Sequence, residues 1–377
     1  MPKPTLLFYS DTQVSSDLRF FAGFEVHDPF IALLVGRRKM GVLNALEYGR
    51  GLKESAFDEI IPLEALAEAA RARNPQGGRP GPAQLIVELA RQRKLRAFAV
   101  PAEFPAGIYA ALVEAGLKIS VLKGAAFPQR EIKSDVETRA IREGNRCAAA
   151  GIGAAEKILR AATIKGKKLI YEGKTLTSER VRLAIEIACL EAGGYPADAI
   201  VAGGDQGCDP HCRGNGPLRP NELIVVDVFP RITRTGYYGD MTRTFLRGTA
   251  SPAQRDLVAA VAAAQKAALQ RVTAGVDGSK VHAACNEVFT ARGYETKSTP
   301  EGSVGFFHGT GHGLGLAIHE PPRVSGVPSR LRAGTVVTIE PGLYYPGLGG
   351  CRIEDVVQVT TGKPRMLSKY PYGWELS

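Results

Sequence analysis

No uncharged stretch of this 377-residue chain approaches the ~20 apolar residues that a membrane-crossing helix requires. Its start, M-P-K-P-T-L-L-F-Y-S, holds no apolar segment long enough for a secretion signal, so a cytoplasmic protein without a membrane partner is expected. Cysteine is sparse: Cys147, Cys189, Cys208, Cys212, Cys285 and Cys351 are too scattered for a disulfide framework. Cys208, His211 and Cys212 lie close together, but with no second cysteine pair beside them a structural zinc is not expected. Aromatic residues make up only 7% of the chain, and none of them forms the basic, aromatic-interleaved motif of an RNA-binding surface. The net charge of +10 is spread out rather than gathered into an arm, which favours a solvated surface over a nucleic-acid partner. No repeat of fixed period is visible.

A chain of this length exceeds the usual single domain, so two domains and a sizeable core are expected. In the first third, T-L-L-F-Y-S, P-F-I-A-L-L-V-G and L-R-A-F-A-V are apolar runs of strand length, while Leu63 to Arg73 and Pro82 to Arg93 carry helical spacing. Between those helices, N-P-Q-G-G-R-P-G-P is a loop by composition. A boundary falls near Gly124 to Pro128, giving domains 1–127 and 128–377. Ser134, Asp135 and Glu137 then open a helix from about Asp135, and a second helix follows Thr177, with Val181, Ile185 and Cys189 spaced four apart. The clearest start signal is Ser251-Pro252-Ala253-Gln254: a capping serine, a proline suited to the first helical position, and a glutamine that closes the box. Gly275 is expected to end that helix, and Ser279 to Arg292 to make another.

The candidate chemistry gathers around His308 to His319, H-G-T-G-H-G-L-G-L-A-I-H, with Glu320 behind it. Three of the six histidines fall here, and the glycines around His312 permit close approach of other groups. Carboxylates occur in two pairs on strand-like segments. Leu223 to Ile232 and Tyr237 to Leu246 read as a hairpin turning near Thr233 to Gly236, and carry Asp227 and Asp240. Thr335 to Tyr345 and Arg352 to Thr360 read as a second hairpin across G-L-G-G, and carry Glu340 and Glu354. Four carboxylates and one imidazole form a hard, oxygen-rich set able to hold two divalent ions, with Mn²⁺, Co²⁺ or Zn²⁺ better suited than thiolate-seeking metals. Such a pair can share a hydroxide at neutral pH and polarise a carbonyl, so no serine or cysteine nucleophile is needed.

These residues resemble the pita-bread metallopeptidases, and within them aminopeptidase P and prolidase, over nearly the whole chain. The resemblance implies an α+β protein: a pita-bread catalytic domain preceded by a smaller creatinase-like α/β N-terminal domain. It implies Asp227 as a ligand of one ion, His312 and Glu340 as ligands of the other, and Asp240 and Glu354 as bridges, with manganese first among the metals. His211 in D-P-H-C, His308 and His319 resemble the family's non-ligand histidines, Arg352 the arginine that holds site carboxylates, and Glu340 a proton shuttle. The implied activity is exopeptidase hydrolysis of the Xaa-Pro bond at the N-terminus of peptides or in dipeptides, through a hydroxide between the ions, in a homodimer. Two departures stand out. The turn Pro230 to Gly236 is longer than the common pattern, and no residue after H-E-P-P clearly matches the arginine that prolidases set near the substrate carboxylate, Arg323 and Arg330 being the candidates. The alternatives are a metal-dependent hydrolase of a small non-peptide amide and a non-catalytic binding module. His27 and His282 match nothing and are expected to be structural.

Overall fold

The structure is a computed structural model and describes residues 5–196, 198–300 and 302–377. The chain divides into two compact units, Met1–Arg130 and Glu131–Ser377.

The first unit is built on strands β1 (Thr5–Ser10), β2 (Phe30–Val35), β3 (Arg38–Leu43), β4 (Glu59–Pro62), β5 (Ala97–Val100) and β6 (Lys118–Val121). They form one sheet in the order β4-β3-β2-β1-β5-β6. Its helices are α1 (Ser16–Ala22), α2 (Ala45–Glu54), α3 (Leu63–Arg73), α4 (Pro82–Gln92) and α5 (Ala106–Glu114). Neighbouring side chains on a strand point to opposite faces, so the apolar runs serve two cores. Leu7, Ile31, Leu33, Met40, Val42 and Phe98 meet Leu66, Ile86, Leu89 and Leu112 of α3, α4 and α5 on one face. Phe8, Phe30, Ala32 and Leu43 meet Leu18, Phe21 and Phe127 on the other. An uninterrupted apolar strand such as F-I-A-L-L-V is what a sheet covered on both faces requires.

In the second unit the long helix α6 (Asp135–Ala161) starts at a complete capping box: Glu137 N–H donates to Ser134 Oγ at 3.3 Å and Ser134 N–H donates to Glu137 Oε2 at 2.8 Å. Helix α7 (Ser178–Glu191) follows the capping hydroxyl of Thr177, and Val181, Ile185 and Cys189 are its buried stripe. Helix α8 (Pro252–Arg271) begins at the Ser251–Gln254 box but stops at Arg271, earlier than the sequence implied. Gly275 instead turns the connecting loop, at φ 90°. Helix α9 (Gly278–Ala291) is capped by Asp277. Among the described residues no helix is long and apolar enough to cross a membrane.

Two sheets lie between these helices. One has four strands, ordered Ile200–Gly203, Ile224–Val228, Met241–Arg247, Glu375–Leu376. The other has five, ordered Glu320–Val324, Gly311–Gly313, Val336–Ile339, Asp355–Gln358, Arg365–Met366. One apolar cluster joins α6 and α7 to the first sheet through Ile152, Leu159, Ile185, Val226 and Phe245. Another joins α8 and α9 through Leu257, Val261, Phe289, Val337 and Val357. The second hairpin is not one continuous ladder. Val336–Ile339 pairs with Asp355–Gln358 in the five-stranded sheet, whereas Gly342–Tyr345 pairs with Gly349–Arg352 in a separate two-stranded ribbon. The break falls at Glu340-Pro341 on one strand and Ile353-Glu354 on the other, because proline has no N–H to offer a ladder.

Candidate metal centre

Each of the four carboxylates stands at or beside a strand end. Asp227 is paired with Thr242, which places Asp240 just before the same ladder begins. Glu340 and Glu354 occupy the break between the two ladders of the other hairpin. Glycine brings the helices and strands this close. A Cβ on Gly144 of α6 would lie 2.5 Å from the Gly239 nitrogen, so both positions must lack side chains for the helix to lie against the Asp240 strand. Asn145, next on α6, accepts the Asp240 N–H at 3.3 Å. In the histidine segment a Cβ on Gly311 would lie 1.9 Å from the Thr338 carbonyl oxygen.

Asp240, His312 and Glu354 offer ligand atoms that all lie within 4.8 Å of one another. His312 Nε2 is 3.3 Å from Glu340 Oε1 and 3.7 Å from Asp240 Oδ2. Its Nδ1 lies 3.0 Å from the Gly313 carbonyl oxygen, which can only accept, so the proton sits on Nδ1 and the Nε2 lone pair faces the carboxylates. Burial holds the His312 imidazole below its ordinary pKa, in the neutral form that ligates metals. A lone pair aimed at carboxylate oxygens is repulsive unless a cation lies between them.

The carboxylates carry the same message. Burial first, then Asp227 and Glu340, pushes Asp240 well above the usual carboxylate range. Burial, then Asp240, raises Glu354 likewise. Burial pushes Glu340 up to about 7 against the opposing pull of Arg352. Asp227 Oδ1 and Glu354 Oε1 are buried and accept no hydrogen bond. Buried unpaired acceptors and crowded carboxylates are costly unless cations compensate them. This donor set therefore fits divalent ions.

The other oxygens are held by the protein. Arg352, buried, donates from Nη2 to Asp227 Oδ2 at 2.8 Å, from Nη1 to the Tyr344 hydroxyl at 3.0 Å and from Nε to Thr242 Oγ1 at 3.3 Å. Thr242 passes its own proton to Glu354 Oε2 at 2.8 Å, and Thr338 donates to Glu340 Oε1 at 3.2 Å while accepting the His312 N–H. Thr242, Thr338, Tyr344 and Asn145 were not singled out from sequence. A signal existed for the threonines, since each sits two residues from a carboxylate on one strand and so shares its face.

The remaining histidines surround this group. His308 donates from Nδ1 to the Gly309 carbonyl at 2.7 Å and accepts the Tyr344 hydroxyl proton at Nε2, at 2.9 Å. Burial, then Arg352, pushes it down to about 3, so it is neutral with both nitrogens engaged. His319 packs edge-on to His312 at a ring distance of 4.3 Å and remains exposed. His211 is exposed, its backbone N–H bound to Asp209 Oδ1 at 3.1 Å. Glu320 turns away from the carboxylates into a buried ion pair with Lys133 at 2.9 Å and accepts the Ala317 N–H, which fixes the loop before His319. Arg323 is the strand partner of His312, whereas Arg330 bridges to Asp277. His282 donates or accepts at Thr310, and His27 pairs with Gln13 at the surface. Among the described residues no ligand-spaced group includes Cys208, His211 or Cys212.

The turn Pro230 to Gly236 is tied to its surroundings on both sides. Gly194–Tyr195 pairs with Arg231–Ile232, and Arg234 reaches Glu143 of α6 at 2.8 Å.

Residues 139–361 match the profile of metallopeptidase family M24. The chain is 34% identical to the Xaa-Pro dipeptidase of Pyrococcus furiosus over 174 residues, 46% of this chain and 47% of that protein. It is 32% identical to the putative dipeptidase YkvY of Bacillus subtilis over 245 residues, 64% of this chain and 61% of that protein. The matches thus span about half to three fifths of these curated relatives' own length. In fold, the chain superposes on the X-Pro aminopeptidase of Thermotoga maritima with a TM-score of 0.80 at 21% identity, covering 99% of this chain and 97% of that one. The pita-bread architecture with its smaller N-terminal unit is thereby the fold of this protein.

Proposed function

Since this chain belongs to metallopeptidase family M24, we propose that it is a metal-dependent exopeptidase hydrolysing the Xaa-Pro bond at the N-terminus of peptides or in dipeptides. The observation that carries this reading is the His312 Nε2 lone pair directed at Glu340 and Asp240 beside partnerless oxygens of Asp227 and Glu354. Asp227, Asp240, His312, Glu340 and Glu354 would hold two divalent ions, with Mn²⁺ ahead of Co²⁺ and Zn²⁺ for so oxygen-rich a set. Bound there, the ions would supply Lewis-acid polarisation of the scissile carbonyl and a nucleophilic water at neutral pH.

The chain's own groups would do the rest. Arg352 and Thr242 hold the carboxylates in register, and the Gly313 carbonyl holds His312 in its ligating tautomer. Glu340 is the carboxylate best placed to pass a proton to the departing proline nitrogen. That nitrogen belongs to a tertiary amide with no N–H to grip, so the substrate must be held by other atoms. His211, His319 and Arg323 are exposed cationic or polar groups near the centre and would serve a carbonyl or a terminal carboxylate. His308, with both ring nitrogens occupied, would act by positioning Tyr344 rather than by proton transfer.

A dimeric, cytoplasmic protein with residues 128–377 as its catalytic part and 1–127 as its accessory part belongs to the same proposal. The test is a panel of Xaa-Pro dipeptides and longer Xaa-Pro peptides assayed with added Mn²⁺, Co²⁺ or Zn²⁺. Hydrolysis of dipeptides, impaired by Arg323→Ala, is expected. Failure with every peptide and metal would favour the hydrolase of a small amide or the binding module.

A further inference from the structure

A second cavity, of about 700 Å³, lies between α6 and the C-terminal strap 366–372. Its walls join Arg142, Asn145 and Arg146 of α6 to Ser368, Lys369 and Tyr370 of the strap. Arg142 and Arg146 are one helical turn apart on one face, where like charges repel and destabilise a helix. Lys369, on the strap, adds a third positive charge to the lining.

Among the described residues these three side chains have no acidic partner, although eighteen other described arginines do reach carboxylates. The carboxylate in the wall, Asp355, is already neutralised. Its Oδ1 accepts from Arg243 at 3.0 Å and from Ser368 at 2.8 Å, and its Oδ2 from Gln265 at 2.9 Å and Tyr372 at 2.8 Å. Asn145 spends its amide on the Ile141 carbonyl and its oxygen on the Asp240 N–H. Nothing in the wall therefore balances the three cations. Beside them, Ala149, Met366, Tyr370 and Tyr372 give the cavity apolar and aromatic surface.

We propose that this cavity binds a small soluble phosphate ester with an aromatic ring, of the mononucleotide kind, its phosphate between Arg142, Arg146 and Lys369 and its ring against the strap tyrosines. Guanidinium pairs suit phosphate because they donate in a planar fork, and a ring-bearing ligand uses wall that inorganic phosphate leaves bare. The site is independent of peptide hydrolysis, so its test does not depend on the proposed activity. It does abut Asn145 and Asp355, neighbours in space or sequence of Asp240 and Glu354.

Calorimetric titration of the full chain with adenosine monophosphate should show saturable one-to-one binding, with inorganic phosphate weaker. The R142Q/R146Q double variant should weaken binding by about tenfold or more. K369Q, which alters an exposed strap side chain, should weaken it too and carries the test if the double variant does not fold. Arg213→Gln, an exposed arginine paired with Asp198, is the control for lost net charge and should bind as the wild type does. No saturable binding by the wild type at millimolar nucleotide, or an equal loss in R213Q, would overturn the proposal.

Discussion

Arg352 Nη2 lies 2.8 Å from Asp227 Oδ2, and this contact leaves Asp227 Oδ1 as the buried oxygen with no partner. The arginine thus decides which carboxylate oxygen is free. It can do so because its fork also engages Tyr344 and Thr242, fixing the guanidinium plane. Lysine carries the charge but has no such fork. Arg352→Lys should keep the fold and lower metal affinity about 10- to 100-fold, as read by competition with a chelator; undiminished affinity would remove Arg352 from this role.

Asp240 is held well above the ordinary carboxylate pKa, chiefly by burial, so without a cation it is a strained occupant of its site. Asparagine has nearly the same shape and no charge to bury. Metal-free Asp240→Asn should therefore melt at or above metal-free wild type. Added Mn²⁺ should stabilise the wild type, by about 2.7 kcal/mol at a hundred times Kd, and leave the variant nearly unmoved. A metal-free variant that melts clearly lower would show that the carboxylate is structural. Thermal denaturation with and without chelator makes the comparison.

Gly144 is the place where a helix and the Asp240 strand touch backbone to backbone. The new Cβ of Gly144→Ala would meet the Gly239 nitrogen at 2.5 Å, and neither backbone is free to yield. Overpacking of this kind costs about 1 to 3 kcal/mol, although alanine is the better helix former by about 1 kcal/mol. The expected result is lower stability in urea together with weaker metal binding, because the displaced strand carries Asp240. Gly153→Ala on the same helix, where the nearest atom would be the Tyr370 hydroxyl at 3.7 Å, should cause neither loss.

Glu88 of α4 is buried and accepts hydrogen bonds from Arg91 and Gln92, with Arg73 Nε at 2.9 Å. The Arg91 bond is the leading reason its pKa is drawn down to about 2. An unfolded glutamate titrates near ~4.3. The folded value is the lower one, so the stabilisation is present above the unfolded pKa and disappears as pH falls from about 4 towards 2. Glu88→Gln should cost about 1 kcal/mol at pH 7, a value kept small because both arginines face water. The gap between variant and wild type should close on acidification. Urea melts at a series of pH values test this, and a gap that stays constant to pH 2 would refute it.

Much of the local structure was written in short signals. The Ser134 and Ser251 boxes set helix starts because an unsatisfied backbone N–H has few local remedies. Proline and the left-handed glycines fixed turns for equally local reasons, although Gly275 proved to turn a loop rather than end a helix. Ligand chemistry was legible too, since residue type alone makes four carboxylates and an imidazole suitable for hard cations.

Distances between those groups were not legible, because they depend on where separate ladders begin and end. The break of the second hairpin at Glu340-Pro341 and Ile353-Glu354 came from the way two sheets share one pair of strands. Only the folded chain selected the tautomers of His308 and His312 through carbonyls beside them, and only it placed Tyr344 between Arg352 and His308. Sequence determined which groups this protein possesses and which segments are helix or strand, since those follow from each residue's own chemistry and near neighbours. Tertiary structure decided which oxygens are left without partners and which cations without acids, because burial and long-range hydrogen bonding exist only once the chain has packed.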